Sequence, residues 1–463
     1  MNNKYIDLIQ QTYDFPEEGF NVIDHQLYFN EINLMKMVEQ YGTPFKLTYL
    51  PKISSQIQKA KSLFENSFDK LHYKGKYYYC YCTKSSHFSF VLSEALKNDI
   101  HLETSSAFDI ELIKKLLIEK KINKDVYIVC NGYKPKIYTD KICELYNDGF
   151  TNIIPVIDNK KEIHEYYYGV QGALNLGIRI ASEEEPSYEF YTSRLGIRYD
   201  EIVDFYLENI LPHPRFSLKM LHFFVNKGIK DDAFYWSELK KCVDVYCDLK
   251  KHCDTLDSLN IGGGFPIRTR FNFNFDYQYM VEEILLQVQS SCKQAGVSEP
   301  DIYTEFGSFT VGESGAYIFS ILGEKQQNES ERWYMIDSSL MTTMPDIWGI
   351  DQRYILLPIN KWNHEYQRVN IGGLSCDVSD YYHYGMDIDR LYLPKIKDKE
   401  KLYLGFFHTG AYQDSLSGYG GIKHCLIPSP KHIIVEKDDA GHVHHRLFSV
   451  EQESEQMLKV LGY

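Results

Sequence analysis

The chain has 463 residues, 44% of them hydrophobic and 25% charged, which suits a globular enzyme of two domains. A net charge of −14 argues against nucleic acid or an anionic membrane as partner, since both require a basic surface. No apolar run approaches the roughly 20 residues that cross a bilayer, and the opening Met1 to Asp7 lacks the apolar stretch of a secretion signal, so a cytoplasmic location is expected.

From about residue 55 to 315 short apolar runs alternate with amphipathic stretches. Lys76 to Cys82 reads as a buried strand, His87 to Lys97 as a helix, Ile100 to Glu103 as a strand and Asp109 to Glu119 as a helix. Val126 to Cys130 is a strand that ends in a turn at Asn131 and Gly132. Ile153 to Ile157, Leu176 to Ile180, Met220 to Val225 and Ser258 to Ile261 continue the strand series. This alternation predicts an α/β fold with a parallel (β/α)8 barrel. After Gly315 the pattern changes to short strands separated by turns: Arg332 to Ile336, Tyr354 to Leu357, Arg368 to Ile371, Leu402 to Phe407 and His432 to Glu436. Residues 316–463, joined by residues 1–54, are therefore expected to form a β domain, a sandwich or barrel-like sheet.

The ten cysteines include no C-x-x-C pair, so the spacing supports no metal site, and reduced thiols are expected. Five short segments carry residue types suited to chemistry. Lys84 follows the strongest strand candidate, where an amine at the carboxyl end of a barrel strand can form a Schiff base; a lone lysine there is more often a surface residue. Gly262, Gly263 and Gly264 follow another strand and let backbone amides approach an anion, although a packing turn accounts for such glycines equally well. Glu305 ends an apolar run and suits the protonated nitrogen of an electron-accepting ring; the bland alternative is a solvated carboxylate. His222, within an apolar run, is either a core histidine or a ring stacked on a planar cofactor. Cys376, Asp377 and Asp380 place a thiol beside carboxylates in a glycine-bearing loop, fit for proton donation and cation binding, or simply for capping a turn.

The order of these residues, closing with Gly410-Ala-Tyr412, resembles the fold-type III pyridoxal-phosphate decarboxylases of ornithine, diaminopimelate and arginine, from about Lys76 to Pro428. Residues 128–134 (IVCNGYK), 339–352 (SLMTTMPDIWGIDQ) and 410–413 (GAYQ) are similar to the biosynthetic arginine decarboxylases, and Ser193 to Gly196 is similar to a barrel-strand motif of the wider family. The resemblance implies an alanine-racemase-like barrel and pyridoxal 5'-phosphate as cofactor. Lys84 would hold the cofactor covalently, with Glu103, Arg179, His222, Gly262, Gly263, Gly264, Glu305 and Tyr412 around it. It further implies Cys376 as proton donor and Asp377, with Asp337 and Asp380 as further candidates, as partner of the substrate cation. The implied activity is arginine decarboxylation to agmatine for polyamine biosynthesis, in a homodimer whose sites are shared across the interface. Ornithine, lysine, diaminopimelate or carboxynorspermidine are alternative substrates, and a racemase or an inactive regulatory homologue are alternative readings. Two departures stand out: Glu305-Phe-Gly-Ser308 lacks the arginine many relatives offer the phosphate, which leaves Ser308, Thr310 or another donor to substitute, and Phe223 to Asn226 removes a small hydroxyl after the histidine.

Overall fold

The computed structural model describes residues 15–183, 190–382, 391–397 and 399–463; the opening residues read above for a leader lie outside them. The chain divides into two compact units, one of residues 53–266 and 275–310, the other of residues 15–52, 267–274 and 311–463 as far as they are described.

The first unit is a closed barrel of eight parallel strands: Tyr77–Cys82, His101–Thr104, Ile128–Cys130, Ile153–Ile157, Leu174–Arg179, Phe216–His222, Ser258–Asn260 and Asp301–Phe306. Each strand pairs with the next in sequence, and the eighth closes on the first with Ile302 opposite Tyr77. These strands are buried on both faces, one by the helices and one by the barrel interior, which is why they read as continuous apolar runs. The interior is filled by Cys80, Val129, Ile154, Val156, Met220 and Tyr303, with Tyr78 and Tyr127 packed against them. Gly177 belongs to this filling. A Cβ there would stand 3.0 Å from Val156 Cγ2 and 3.5 Å from Met220 Cβ. The helix Leu50–Leu71 was not anticipated from the sequence; Ile53, Ile57, Ala60 and Phe64 recur at three- and four-residue spacing and are fully buried. Phe64 stacks on Tyr77 of the first barrel strand, with centroids 4.1 Å apart.

The second unit is organised by the strand Gly315–Gln326, which pairs antiparallel with Phe45–Tyr49, with Arg332–Ile336 and with Tyr403–Phe407. Together with Lys431–Lys437, Val443–Ser449, Tyr366–Gly372, Leu391–Pro394 and Ile355–Pro358 these form a branched nine-stranded sheet, beside a three-stranded sheet over Phe20–Asn33. Phe45–Tyr49 is central in this sheet, so residues early in the chain are integral to it. Ile267–Asn274 leaves the barrel segment and packs here: Arg268 pairs with Glu17 at 2.7 Å, and its carbonyl accepts from His408.

Candidate active site

Side chains two residues apart on a strand point to the same side. The interior-facing residues of the barrel therefore continue at its carboxyl end into Glu103, Asn131, Arg179, His222 and Glu305, two residues beyond His101, Val129, Gly177, Met220 and Tyr303. This is the end at which barrel enzymes place their chemistry.

Lys84 lies in the single turn Thr83–Ser85 directly after the first strand, and its Nζ is paired with a carboxylate oxygen of Glu103, which is fully buried. Asp109 holds that turn in place. Its Oδ1 accepts from Thr83 Oγ1 at 3.1 Å and faces His87 Nε2 at 2.9 Å, while Oδ2 accepts from the Ser105 amide at 3.0 Å. Burial works to raise the Asp109 pKa, but these hydrogen bonds, His87 first, hold it below the usual range. Asp109 thus ties the lysine turn to the loop after the second strand, a role the sequence did not disclose.

Glu305 is the hub of the ring. Its Oε1 accepts from Asn131 Nδ2 at 2.8 Å and from Asn260 Nδ2 at 2.6 Å, and its Oε2 lies 3.3 Å from His222 Nε2. Asn131 Nδ2 also reaches Glu103 Oε1 at 3.1 Å, so one amide bridges the two carboxylates. Burial works to raise the Glu305 pKa; His222 and Lys84 more than offset it and hold the carboxyl below the usual range, in the ionised form. Asn131 and Asn260 were in plain view at the ends of strand candidates, yet only the closed barrel shows that they converge on one carboxylate.

Several buried polar atoms at this end have no hydrogen-bonding partner among the described residues. They include Arg179 Nε and both ring nitrogens of His222, whose contact with Glu305 lacks hydrogen-bond alignment. Burial also lowers the Arg179 pKa, against the pull of Asp158, Glu305 and Glu103. Unpaired buried polar groups are rare and costly, so their concentration here indicates a site built to receive a polar ligand.

The glycine run has both a packing and a binding side. Gly262 and Gly264 have φ of 68° and 112°, and a Cβ at Gly263 would stand 2.2 Å from the Glu305 carbonyl oxygen, so none of the three accepts a side chain. Gly262 donates its amide to Asn260 Oδ1 at 2.9 Å, whereas the amides of Gly263 and Gly264 donate to no group among the described residues. Two free amides beside a backbone that has been cleared of side chains form an anion cradle. Of the substitutes considered for the missing arginine, Thr310 is committed, bonded to Tyr79 Oη at 2.7 Å and to the Phe306 carbonyl. Ser308 remains half-buried and makes no side-chain bond among the described residues.

A family model for the pyridoxal binding domain of pyridoxal-dependent decarboxylases matches residues 52–312, more than half of the chain. The chain belongs to that family. The chain is 24% identical over 366 residues to a biosynthetic arginine decarboxylase of Prochlorococcus marinus, a match over 72% of this chain and 56% of the relative, so it spans little more than half the relative's length. In fold it is similar to the crystal structure of the biosynthetic arginine decarboxylase of Campylobacter jejuni, with a TM-score of 0.76 at 19% identity, covering 96% of this chain and 89% of the other. It is equally similar to a diaminopimelate decarboxylase from M. jannaschi, with a TM-score of 0.76 at 17% identity, covering 96% and 97%. Pyridoxal phosphate is the family's cofactor, and the residues present fit it: an amine at Lys84, an anion cradle at Gly263 and Gly264, an ionised carboxylate at Glu305, and unpartnered donors on Arg179 and His222.

The remaining candidates lie in the β unit, each in a defined setting. Two of the segments similar to arginine decarboxylases, residues 339–352 and 410–413, are knit together there. Asp380 Oδ1 accepts from the amides of Leu340 at 2.8 Å and Met341 at 3.2 Å, its Oδ2 from Ser375 at 2.9 Å, and Gln413 Nε2 donates to Asp346 at 2.7 Å. Both oxygens of the buried Asp380 are thereby occupied by backbone. Asp337 is likewise engaged, accepting from the Ser320 amide at 3.0 Å and hydroxyl at 2.7 Å, and burial raises its pKa. Asp377 differs: only Oδ1 is engaged, by the Ser379 amide at 2.8 Å, and the side chain lines an open pocket of about 220 Å³ with Trp333 and Tyr381. Cys376 is exposed, and Tyr412 sits at a left-handed position, φ 65°, before the turn Gln413–Leu416. Ser193 to Gly196 forms no barrel strand as the sequence suggested. It lies in the loop after the fifth strand, where Ile197 makes a single bridge to Ile180 and Gly196 donates to Asp158 at 2.9 Å.

Proposed function

We propose that this chain catalyses the decarboxylation of a basic amino acid, L-arginine in the first instance, to agmatine and carbon dioxide, as a step of polyamine synthesis in the cytoplasm. The observation that carries the chemistry is the ring of Lys84, Glu103, Asn131, His222 and Glu305 at the carboxyl end of the barrel. Similarity to biosynthetic arginine decarboxylases carries the substrate.

Bound there, pyridoxal phosphate supplies a conjugated ring that accepts the electron pair left when a carboxylate departs as carbon dioxide. Lys84 would hold its aldehyde carbon and exchange with the substrate amine, with Glu103 fixing the position of Nζ. Glu305 would keep the ring nitrogen protonated, being itself ionised and held by two asparagine amides. His222 would lie against the ring face, and the amides of Gly263 and Gly264, with Ser308, would take the phosphate. In a homodimer, Cys376 would deliver the proton to Cα in the neighbouring site, and Asp377, the carboxylate with an unengaged oxygen, would pair with the substrate cation. A guanidinium matches a carboxylate in two parallel bonds, which favours arginine over the ammonium of lysine or ornithine.

The test is carbon dioxide release from cofactor-loaded protein offered arginine, ornithine, lysine and diaminopimelate separately, with Lys84→Ala as the blank. Release from arginine alone is expected. Release only from another amino acid keeps the mechanism and overturns the substrate, and binding of cofactor with no release from any overturns both.

A further inference from the structure

Eight of the ten cysteines are buried, and the two exposed ones, Cys376 and Cys425, stand together although 49 positions apart in sequence. Their Sγ atoms are 3.3 Å apart, His424 Nε2 lies 3.9 Å from Cys376 Sγ, and the donor atoms of all three lie within 4.8 Å of one another. We propose that Cys376, His424 and Cys425 form a binding site for a thiophilic divalent cation of the zinc class.

Two loops bring the donors together, and both are held. Asp380 pins the first by accepting from the Ser375 amide, one residue before Cys376. In the second, Cys425 and Leu426 are both left-handed, with φ of 54° and 53°. An extended backbone would send the side chains of His424 and Cys425 to opposite sides; the left-handed turn breaks that alternation and lets both face Cys376. The His424 ring makes no other hydrogen bond among the described residues, and the Cys376 amide donates to Cys425 Sγ at 3.5 Å.

The third donor, the His424 imidazole, favours a cation site over a thiol pair waiting to close as a disulfide. Two thiolates at about 2.3 Å from a tetrahedral zinc stand roughly 3.8 Å apart, and a thiolate and an imidazole nitrogen roughly 3.6 Å. The observed 3.3 Å and 3.9 Å lie within about 0.5 Å of these values, and a disulfide would have no use for the imidazole. Two soft sulfurs and one imidazole select zinc over magnesium or calcium. All three residues are exposed, so a fourth position is open to water, and the cation is exchangeable rather than sealed in. Binding replaces the two thiol protons, which are released to solvent as the two sulfur–metal bonds form.

The site has a consequence for activity that rests on the function proposed above. A metal-bound Cys376 has no proton to give, so occupancy of this site switches off decarboxylation without touching the barrel residues.

The experiment is a titration of the cofactor-loaded, full-length protein with zinc chloride under reductant, against a competing chelator. One zinc per chain and two released protons are expected. Cobalt in its place should give a sulfur-to-metal charge-transfer band, and His424→Ala and Cys425→Ser should each weaken binding tenfold or more. Both substituted side chains are exposed, and equal melting temperatures of the metal-free variants establish that the fold is kept. Zinc should suppress carbon dioxide release from the unaltered protein, a chelator should restore it, and Cys425→Ser should retain it at the same zinc concentration. Unchanged affinity in both variants would overturn the site, as would a Cys376–Cys425 disulfide that persists in reductant with no zinc uptake. Zinc bound through these residues with undiminished release would leave the site standing and remove Cys376 from the proposed chemistry.

Discussion

The two ends of the barrel interior are built from the same strands and do opposite things. At the amino end, Tyr78 stacks on Tyr303 with centroids 4.5 Å apart, Tyr127 meets them edge-on and His101 lies tilted against Tyr78, a plug of aromatic rings. Two residues further along these strands stand Glu103 and Glu305, joined through the Asn131 amide and flanked by Asn260 and His222 in a buried polar network. The plug buries aromatic surface and leaves one buried polar atom, Tyr303 Oη, without a partner, whereas the ring holds several, on Asn131, Arg179 and His222, that a ligand would satisfy. One end is held mainly by packed rings, and the other concentrates polar groups that a ligand would engage.

The substitutions that separate the two ends differ in expected size. Lys84→Ala should abolish carbon dioxide release and the absorbance of bound cofactor while the cofactor-free protein still folds cooperatively, because Lys84 contributes nothing to the plug and its removal costs the fold only the pairing with Glu103. Glu305→Gln keeps the shape and loses the charge, and should lower kcat by roughly 100-fold, the scale of removing one preorganised electrostatic group; an unaltered kcat would mean that the carboxylate serves the fold and not the ring nitrogen. Gly263→Ala should cost about 2–3 kcal/mol in chemical denaturation and weaken cofactor retention, since the new Cβ would meet the Glu305 carbonyl at 2.2 Å. Gly296→Ala is the contrast, with nothing within 4 Å and only its φ of 70° to strain, so its cost should be nearer 1 kcal/mol.

The plug makes its own prediction through pH. Burial first of all pushes the His101 pKa from 6.5 down to about 4, and its Nδ1 accepts from the Tyr127 amide at 3.1 Å, which requires that nitrogen to be unprotonated. Below pH 6.5 the unfolded chain binds a proton that the folded one refuses. The stability contributed by His101 is therefore full above pH 6.5 and is lost as pH falls toward 4. His101→Gln should flatten the dependence of melting temperature on pH within that window. In the β unit, Asp380→Asn should lower stability by about 1–3 kcal/mol by spoiling its hold on three amides, and a rise in KM with no loss of stability would instead make it a substrate contact.

Much of this was legible in the residues themselves. Strand runs such as Tyr77–Cys82 and Ile153–Ile157 announce themselves because parallel barrel strands are apolar on both faces, and that fixed the fold class. Lys84, the glycine run and Glu305 were readable because each combines a chemically distinctive residue with the end of a strand. Harder to see were Asn131, Asn260 and Asp109, ordinary polar residues whose roles exist only once strands three, seven and one are neighbours of strands two and eight. The β unit was less legible still. Its central strand Gly315–Gln326 begins at a glycine and ends in charged, exposed residues, and the helix Leu50–Leu71 carries polar residues between its buried ones.

By itself the sequence determined the apolar periodicities, hence the barrel, and the identity and order of the groups able to do chemistry. Only the tertiary structure decided which of those groups meet. Hydrogen bonds and metal–ligand contacts act over a few ångströms, and the distance between Glu103 and Glu305, or between Cys376 and Cys425, is set by the closure of strands and loops and not by the spacing of residues along the chain.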